Sequence, residues 1–201
     1  MNRRENVRTV AEIYDTKAEY CLKEGERALV FSLNQADFDT CIVEKRHEKF
    51  HFLTDTYQVD LEEYREEADR RLLEKMKDIV DFEQLEALGI REEDEKNKKA
   101  FADFYGSLER VKQELARNDE AVVVFENLFF KVSDAMTRQE YRECMLPVYQ
   151  VCAETVREMQ QEYSVDGFSK IYLAGDKSED ISLYEYLQEQ YRAELCILTV
   201  S

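Results

Sequence analysis

Near the start of the chain three apolar and β-branched runs are separated by short polar breaks: ALVFSL at 28–33, FDTCIVEK at 38–45 and KFHFLTD at 49–55. Strand side chains alternate between two faces and turns collect polar residues, so this spacing predicts a three-strand meander. Before it, Arg3 to Leu22 is compatible with a helix, and KEGER at 23–27 reads as a turn. From Leu61 the period becomes helical, with Leu61, Tyr64, Ala68, Leu72, Met76 and Val80 on one stripe. The run REEDEKNKKA at 91–100 has no apolar partner. It reads as a charged linker, a solvated helix start or loop, with an acidic docking patch as the functional alternative.

A second amphipathic helix is predicted from about Ala100 to Ala116, then a hairpin from AVVVF (121–125) and LFFKVS (128–133) turned at Asn127. MTRQEY at 136–141 opens a long helix. Thr137 stands at its N-cap and Glu140 three residues on, the spacing of a capping box. Its stripe of Tyr141, Met145, Val148, Cys152, Val156, Met159 and Tyr163 predicts a core face. Pro147 either kinks this helix or marks a break after Met145. KIYLAG (170–175), SLYEYLQEQY (182–191) and ELCILTV (194–200) complete the chain as strand, helix and strand. The order β-β-β-α-α-β-β-α-β-α-β predicts an α/β fold.

Composition narrows the function classes. With 28 Lys and Arg against 45 Asp and Glu, the net charge of −17 repels phosphate backbones and anionic membranes, so neither nucleic acid nor a membrane surface is an expected partner. Apolar runs such as AVVVF are far short of the ~20 residues of a membrane helix. Five cysteines without a C-x-x-C pair sit among apolar residues, which suits a reducing, cytoplasmic setting. His47 and His51, four apart, read as one face of a strand with Glu44, Glu48 and Asp55 nearby, and no metal site is expected of them. Glu62 and Glu63 are adjacent on a helix, so they diverge and cannot serve as an acid–base pair.

Five landmarks in this order carry a family resemblance. LVFSLNQADFD at 29–39 is similar to a strand and phosphate turn L-V-F-D-L-G-G-G-T-F-D, and Glu62, Glu63 and Tyr64 to E-D-F after a glycine pair whose places Asp60 and Leu61 take. Glu109, Arg110, Val111 and Lys112 match E-R-A-K; Thr137, Arg138 and Tyr141 match T-R-x-x-F; and LAGDKSEDI from Leu173 matches L-V-G-G-S-T-R-I-P. The chain thus resembles the second lobe of the nucleotide-binding domain of the seventy-kilodalton heat-shock chaperone family (heat shock protein 70), in the actin-like ATPase superfamily. The resemblance implies a ribonuclease-H-like, mixed five-stranded sheet with a smaller α+β insertion. The sheet part would be 1–80 plus 140–201 and the insertion 81–139.

It also implies a nucleotide site for ATP or ADP with magnesium. Asn34, Gln35, Ala36 and Asp37 would border the phosphates, Glu109 and Lys112 would face ribose and base, and Gly175 and Asp176 would stand where paired glycines approach the adenosine. The departures weigh against the phosphate end. Asn34, Gln35 and Ala36 replace three glycines, and Cβ atoms hinder the close backbone approach a phosphate needs. Asp37 replaces a threonine and Ser32 an aspartate, while Phe38 and Asp39 persist. A carboxylate about 4 Å from a phosphate charge costs about 1 kcal/mol in water and about 4 at an intermediate dielectric. Gln113 and Glu179 stand where the family carries arginines. With no counterpart of the family's first lobe, the resemblance implies a lobe of a larger chaperone-type protein, with weak or no ATP binding and no ATPase activity of its own. The competing expectation is a pseudo-ATPase scaffold that binds protein partners: the rest of such a chain, a client or a co-chaperone.

Overall fold

A computed structural model of the protein describes residues 3–18, 20–176 and 179–197, with side chains from Thr9 onward. Residues 177–178 of the last motif and 198–200 of the closing strand lie outside the described residues. The chain divides into two compact units, Met1–Glu63 with Val148–Ser201, and Tyr64–Pro147. The divisions fall inside two helices, α2 (Glu62–Ile79) and α6 (Arg138–Tyr163), and not at 80 and 140.

In the first unit, helix α1 (Arg3–Asp15) precedes β1 (Arg27–Leu33) and β2 (Asp37–Arg46), which pair antiparallel with Arg27 opposite Glu44 and Leu33 opposite Phe38. The third strand of the meander is divided. β3 (Lys49–Phe52) and β4 (Tyr57–Asp60) both pair antiparallel with β2, Phe52 opposite Val43 and Tyr57 opposite Thr40. Between those pairs the outer strand spends residues 53–56 where β2 spends 41 and 42. The Leu53 amide donates to Ile42 O at 2.9 Å and the Ile42 amide to Thr54 Oγ1 at 3.0 Å, so the ladder closes around the surplus as a bulge. The sheet is therefore six-stranded, not five.

β7 (Lys170–Ala174) lies parallel to β1, and β8 (Glu194–Ile197) parallel to β7, giving the order β3-β2-β1-β7-β8 with β4 also on β2. Alternation sends Ala28 and Val30 of β1 to one face, where they pack with Ala11 and Tyr14 of α1, Cys41, Val43, Tyr172 and Cys196. The Tyr14 and Tyr172 rings stack at 4.5 Å, and the Tyr14 hydroxyl donates to Leu173 O. Leu29, Phe31 and Leu33, on the opposite face, are buried as well. α6 leads into β7, and α7 (Ile181–Gln190) joins β7 to β8 as a parallel crossover requires. His47 is not on a strand face: it and Glu48 form the β2–β3 turn with φ of 52° and 60°. A two-residue hairpin needs left-handed residues there, whatever their identity.

The second unit is built on aromatic packing. α3 (Phe82–Ala87), unsignalled in the sequence, starts at Asp81, whose carboxylate accepts from the Gln84 amide at 2.9 Å. The helix expected at 100–116 is two, α4 (Lys98–Gly106) and α5 (Leu108–Leu115), parted at Ser107. β5 (Glu120–Glu126) and β6 (Lys131–Thr137) form the expected hairpin; Asn127 Oδ1 accepts the Phe129 and Phe130 amides at 2.9 and 2.8 Å. Phe125 of β5 packs against Phe82, Phe101 and Phe104 with ring centroids 5.9, 5.0 and 6.3 Å away. The charged run 91–100 is not wholly solvated, because Asn97 is buried and donates to Arg91 O at 3.1 Å.

α6 runs unbroken through Pro147. Its start is the capping box: the Glu140 amide donates to Thr137 Oγ1 at 3.3 Å and the Thr137 amide to Glu140 Oε2 at 2.9 Å. The Thr137 amide, with the Lys75 ammonium 3.0 Å from the other oxygen, holds the Glu140 carboxyl below the usual carboxylate range. A group whose folded pKa is depressed stabilises above its unfolded value and loses that contribution as pH falls through the folded one. Glu140→Gln keeps an oxygen for the Thr137 amide and removes only the charge, so it is expected to cost about 0.5–1 kcal/mol at pH 7, a melting shift of roughly 1–4 °C. The difference from the parent should close as pH falls below about 4.3, the unfolded glutamate value. Calorimetric melts at pH 7 and pH 3 check it, and an equal gap at both would remove the ionised cap.

Candidate functional site

Asn34, Gln35, Asp37, Gly175 and Asp176 come together in the first unit, at the end of the sheet where β1 turns into β2 and β7 ends. The pairing of Leu33 with Phe38 leaves four residues to reverse the chain. The Asn34 amide donates to Asp37 O at 2.9 Å, and Asn34 Nδ2 to Asp37 Oδ1 at 2.9 Å. Gln58 Nε2 on β4 donates to the other Asp37 oxygen at 3.0 Å. Ala36 O accepts from the Leu61 amide at 3.0 Å, so the turn is also tied to the start of α2. There Asp60 caps the helix, accepting from the Glu62 amide at 2.9 Å.

The remaining face of the turn is closed from β7. The Gln35 amide, a backbone donor of the kind a phosphate turn offers its anion, donates to Asp176 Oδ2 at 3.3 Å. Asp176 is brought there by Gly175, which takes φ +89°. A Cβ on Gly175 would lie 2.3 Å from Leu33 O and 2.7 Å from Asn34 Oδ1. The close approach that calls for glycine is thus made to the protein's own backbone, with no ligand needed to explain it. Asp180 caps α7, accepting from the Ser182 amide at 2.9 Å.

A phosphate group placed at this turn would find its donors already engaged. Two carboxylates, Asp37 and Asp176, already hold the donors that would face it, and a third anion would meet both charges at short range. Among the described residues no group of three His, Cys, Asp or Glu side chains converges as a metal site.

Glu109 and Lys112 lie on α5 in the second unit. The Lys112 side chain is mostly buried, and its ammonium donates to Asp69 Oδ1 and Oδ2 at 2.8 and 3.1 Å and to Glu109 Oε1 at 2.8 Å. Its three protons meet three protein oxygens, while the Glu109 carboxylate is largely exposed. Lys112 is therefore satisfied within the protein, its ammonium held between Asp69 of α2 and Glu109 of α5.

Two features carried no signal in the sequence. Gln58 became a partner of Asp37 through the β2–β4 register alone. A cleft between α4, α5 and β5 draws its lining from residues 96–110 and 124–128, segments whose separate readings are linker, helix and hairpin. Among the described residues no helix is long and apolar enough to cross a membrane. No protein-family model and no curated protein matches the sequence.

Proposed function

We propose that the chain is a divergent actin-like ATPase lobe of heat-shock-chaperone type, which keeps the fold as a protein-interaction scaffold and binds ATP or ADP weakly or not at all. The observation that carries this reading is the turn closed on itself: Asp176 takes the Gln35 amide, and Asp37 takes Asn34 and Gln58. The sheet order supports the lobe assignment. An antiparallel meander followed by two parallel strands with helical crossovers is the arrangement the resemblance implies. Four of the five free cysteines are buried, in keeping with a reducing, cytoplasmic setting. The partners proposed are the remainder of a chaperone-type chain, a client or a co-chaperone.

Calorimetric titration with magnesium-ADP, magnesium-ATP and adenosine tests the reading. The expected result is no saturable heat up to about 1 mM, a binding free energy weaker than about −4 kcal/mol. Binding of about 1 μM, lost in Lys112→Ala, would overturn it and restore a working adenosine site.

A further inference from the structure

Within the second unit, α4, α5 and β5 border a cleft of about 610 Å³ whose lining includes Lys96, Ala100, Phe104, Arg110, Val124 and Leu128. That size falls in the range of about 300–1,000 Å³ common to ligand sites. One wall is a strand edge. In the hairpin the Asn127 amide donates to Phe130 O at 2.9 Å and the Arg138 amide to Asp119 O at 2.7 Å. Bonded and non-bonded pairs alternate along an antiparallel ladder, so the odd-numbered residues of β5 face β6. Val122, Val124 and Glu126 turn their amides and carbonyls the other way. The Val122 carbonyl accepts from Arg110 Nη2 at 3.0 Å. Among the described residues the outward amide and carbonyl of Val124 meet no partner, and Val124 lines the cleft.

The edge, the floor and the charge together specify an occupant. Alternating main-chain donors and acceptors are matched by an extended backbone that adds itself as a strand. Leu128 and its neighbour Phe129, 84% and 89% exposed at the hairpin tip, offer apolar contact. Around the cleft Lys99 pairs with Asp103, Arg110 with Glu114 and Glu126 with Lys131. Lys96 is exposed and has no ion pair among the described residues, so on a chain of net charge −17 the cleft keeps one uncompensated cation.

We propose that β5 takes up an extended acidic-apolar peptide segment of a partner protein as an added strand, with an apolar side chain against Leu128 and a carboxylate at Lys96. This gives the scaffold reading a defined binding site, and rests on that reading only for the nature of the partner.

The test is a titration of the ¹⁵N-labelled full chain with blocked hexapeptides that alternate Val, Ile, Leu or Phe with Asp or Glu, followed by amide shifts. Shifts at Lys96 and Val124 should saturate with dissociation constants of about 10–100 μM. Lys96→Glu, a surface change that leaves the core untouched, should weaken binding about tenfold or more, as should N-methylation of alternate peptide amides in the register facing β5. Absence of shifts at Val124 with every peptide up to about 1 mM would overturn the proposal. Undiminished binding of both N-methylated registers would do so too, by leaving only a side-chain pocket. So would a concentration-dependent dimer that the peptides fail to dissociate, which makes a second copy the occupant. None of these outcomes alters the nucleotide titration, so the two readings fail separately.

Discussion

Phe125→Ala is expected to be the most damaging single truncation in the second unit, costing about 3–5 kcal/mol. The ring is fully buried and packs on three others, Phe82, Phe101 and Phe104. Its removal forfeits the transfer energy of a phenyl group, leaves a cavity, and breaks ring pairs worth about 0.5–1.5 kcal/mol each beyond their area. Domains of ordinary stability hold only about 5–15 kcal/mol in total. Urea titration followed by near-ultraviolet dichroism reads the loss directly. Phe125→Leu keeps most of the volume and should cost markedly less, about 1.5 kcal/mol or somewhat more. Equal losses for the two variants would mean that the site is not packed as described.

The second large effect is Gly175→Ala, a single added methyl. At φ +89° an L-residue pays about 1–2 kcal/mol in backbone strain, and the new Cβ would stand 2.3 Å from a carbonyl oxygen fixed inside β1. Strand β7 or the turn must shift, so the total should reach roughly 3 kcal/mol, a fall in melting temperature of about 6–12 °C. Gly106→Ala is the control. A Cβ there meets nothing within 4 Å, and the residue ends a helix with ordinary φ, so the change should be neutral or stabilise by up to about 1 kcal/mol. Matched melting curves for the two variants would contradict the close contact between Gly175 and Leu33.

Most of the strands and helices, and their order along the chain, were legible because strand alternation and helical stripes are written in local residue types. Leu61, Ala68, Leu72, Met76 and Val80 are buried as their spacing predicts, while Tyr64 on the same stripe is 39% exposed. The capping box at Thr137 and Glu140 was readable for the same reason: both partners sit within one helical turn. What escaped depends on register or on distant partners. Nothing near His47 says that it turns a hairpin, since its neighbours carry none of the glycine or asparagine that usually marks one. The surplus residues at 53–56 are visible only once β2 is laid alongside. At the candidate site, the departure of Asn34, Gln35, Ala36 and Asp37 from a glycine-rich turn was readable from the residue types alone. That Asp176 would take the Gln35 amide was not, because β7 reaches the turn only through the parallel pairing with β1.

That parallel pairing also sets a timetable for synthesis. Ser169 bonds to Arg27 across 142 positions of chain. As the chain emerges, β1 has the meander for company but no neighbour on its other side until residues 170–174 have been made. The stretch 64–147, by contrast, is contiguous, so its aromatic cluster is complete long before the sheet is. Closing so long a loop adds little to the equilibrium cost, since each doubling of length costs only about 0.6 kcal/mol, but non-local pairing of this kind slows folding. Through that interval the apolar faces of Val30 and Phe31 await their final neighbours, the condition in which a nascent chain depends on chaperones for protection.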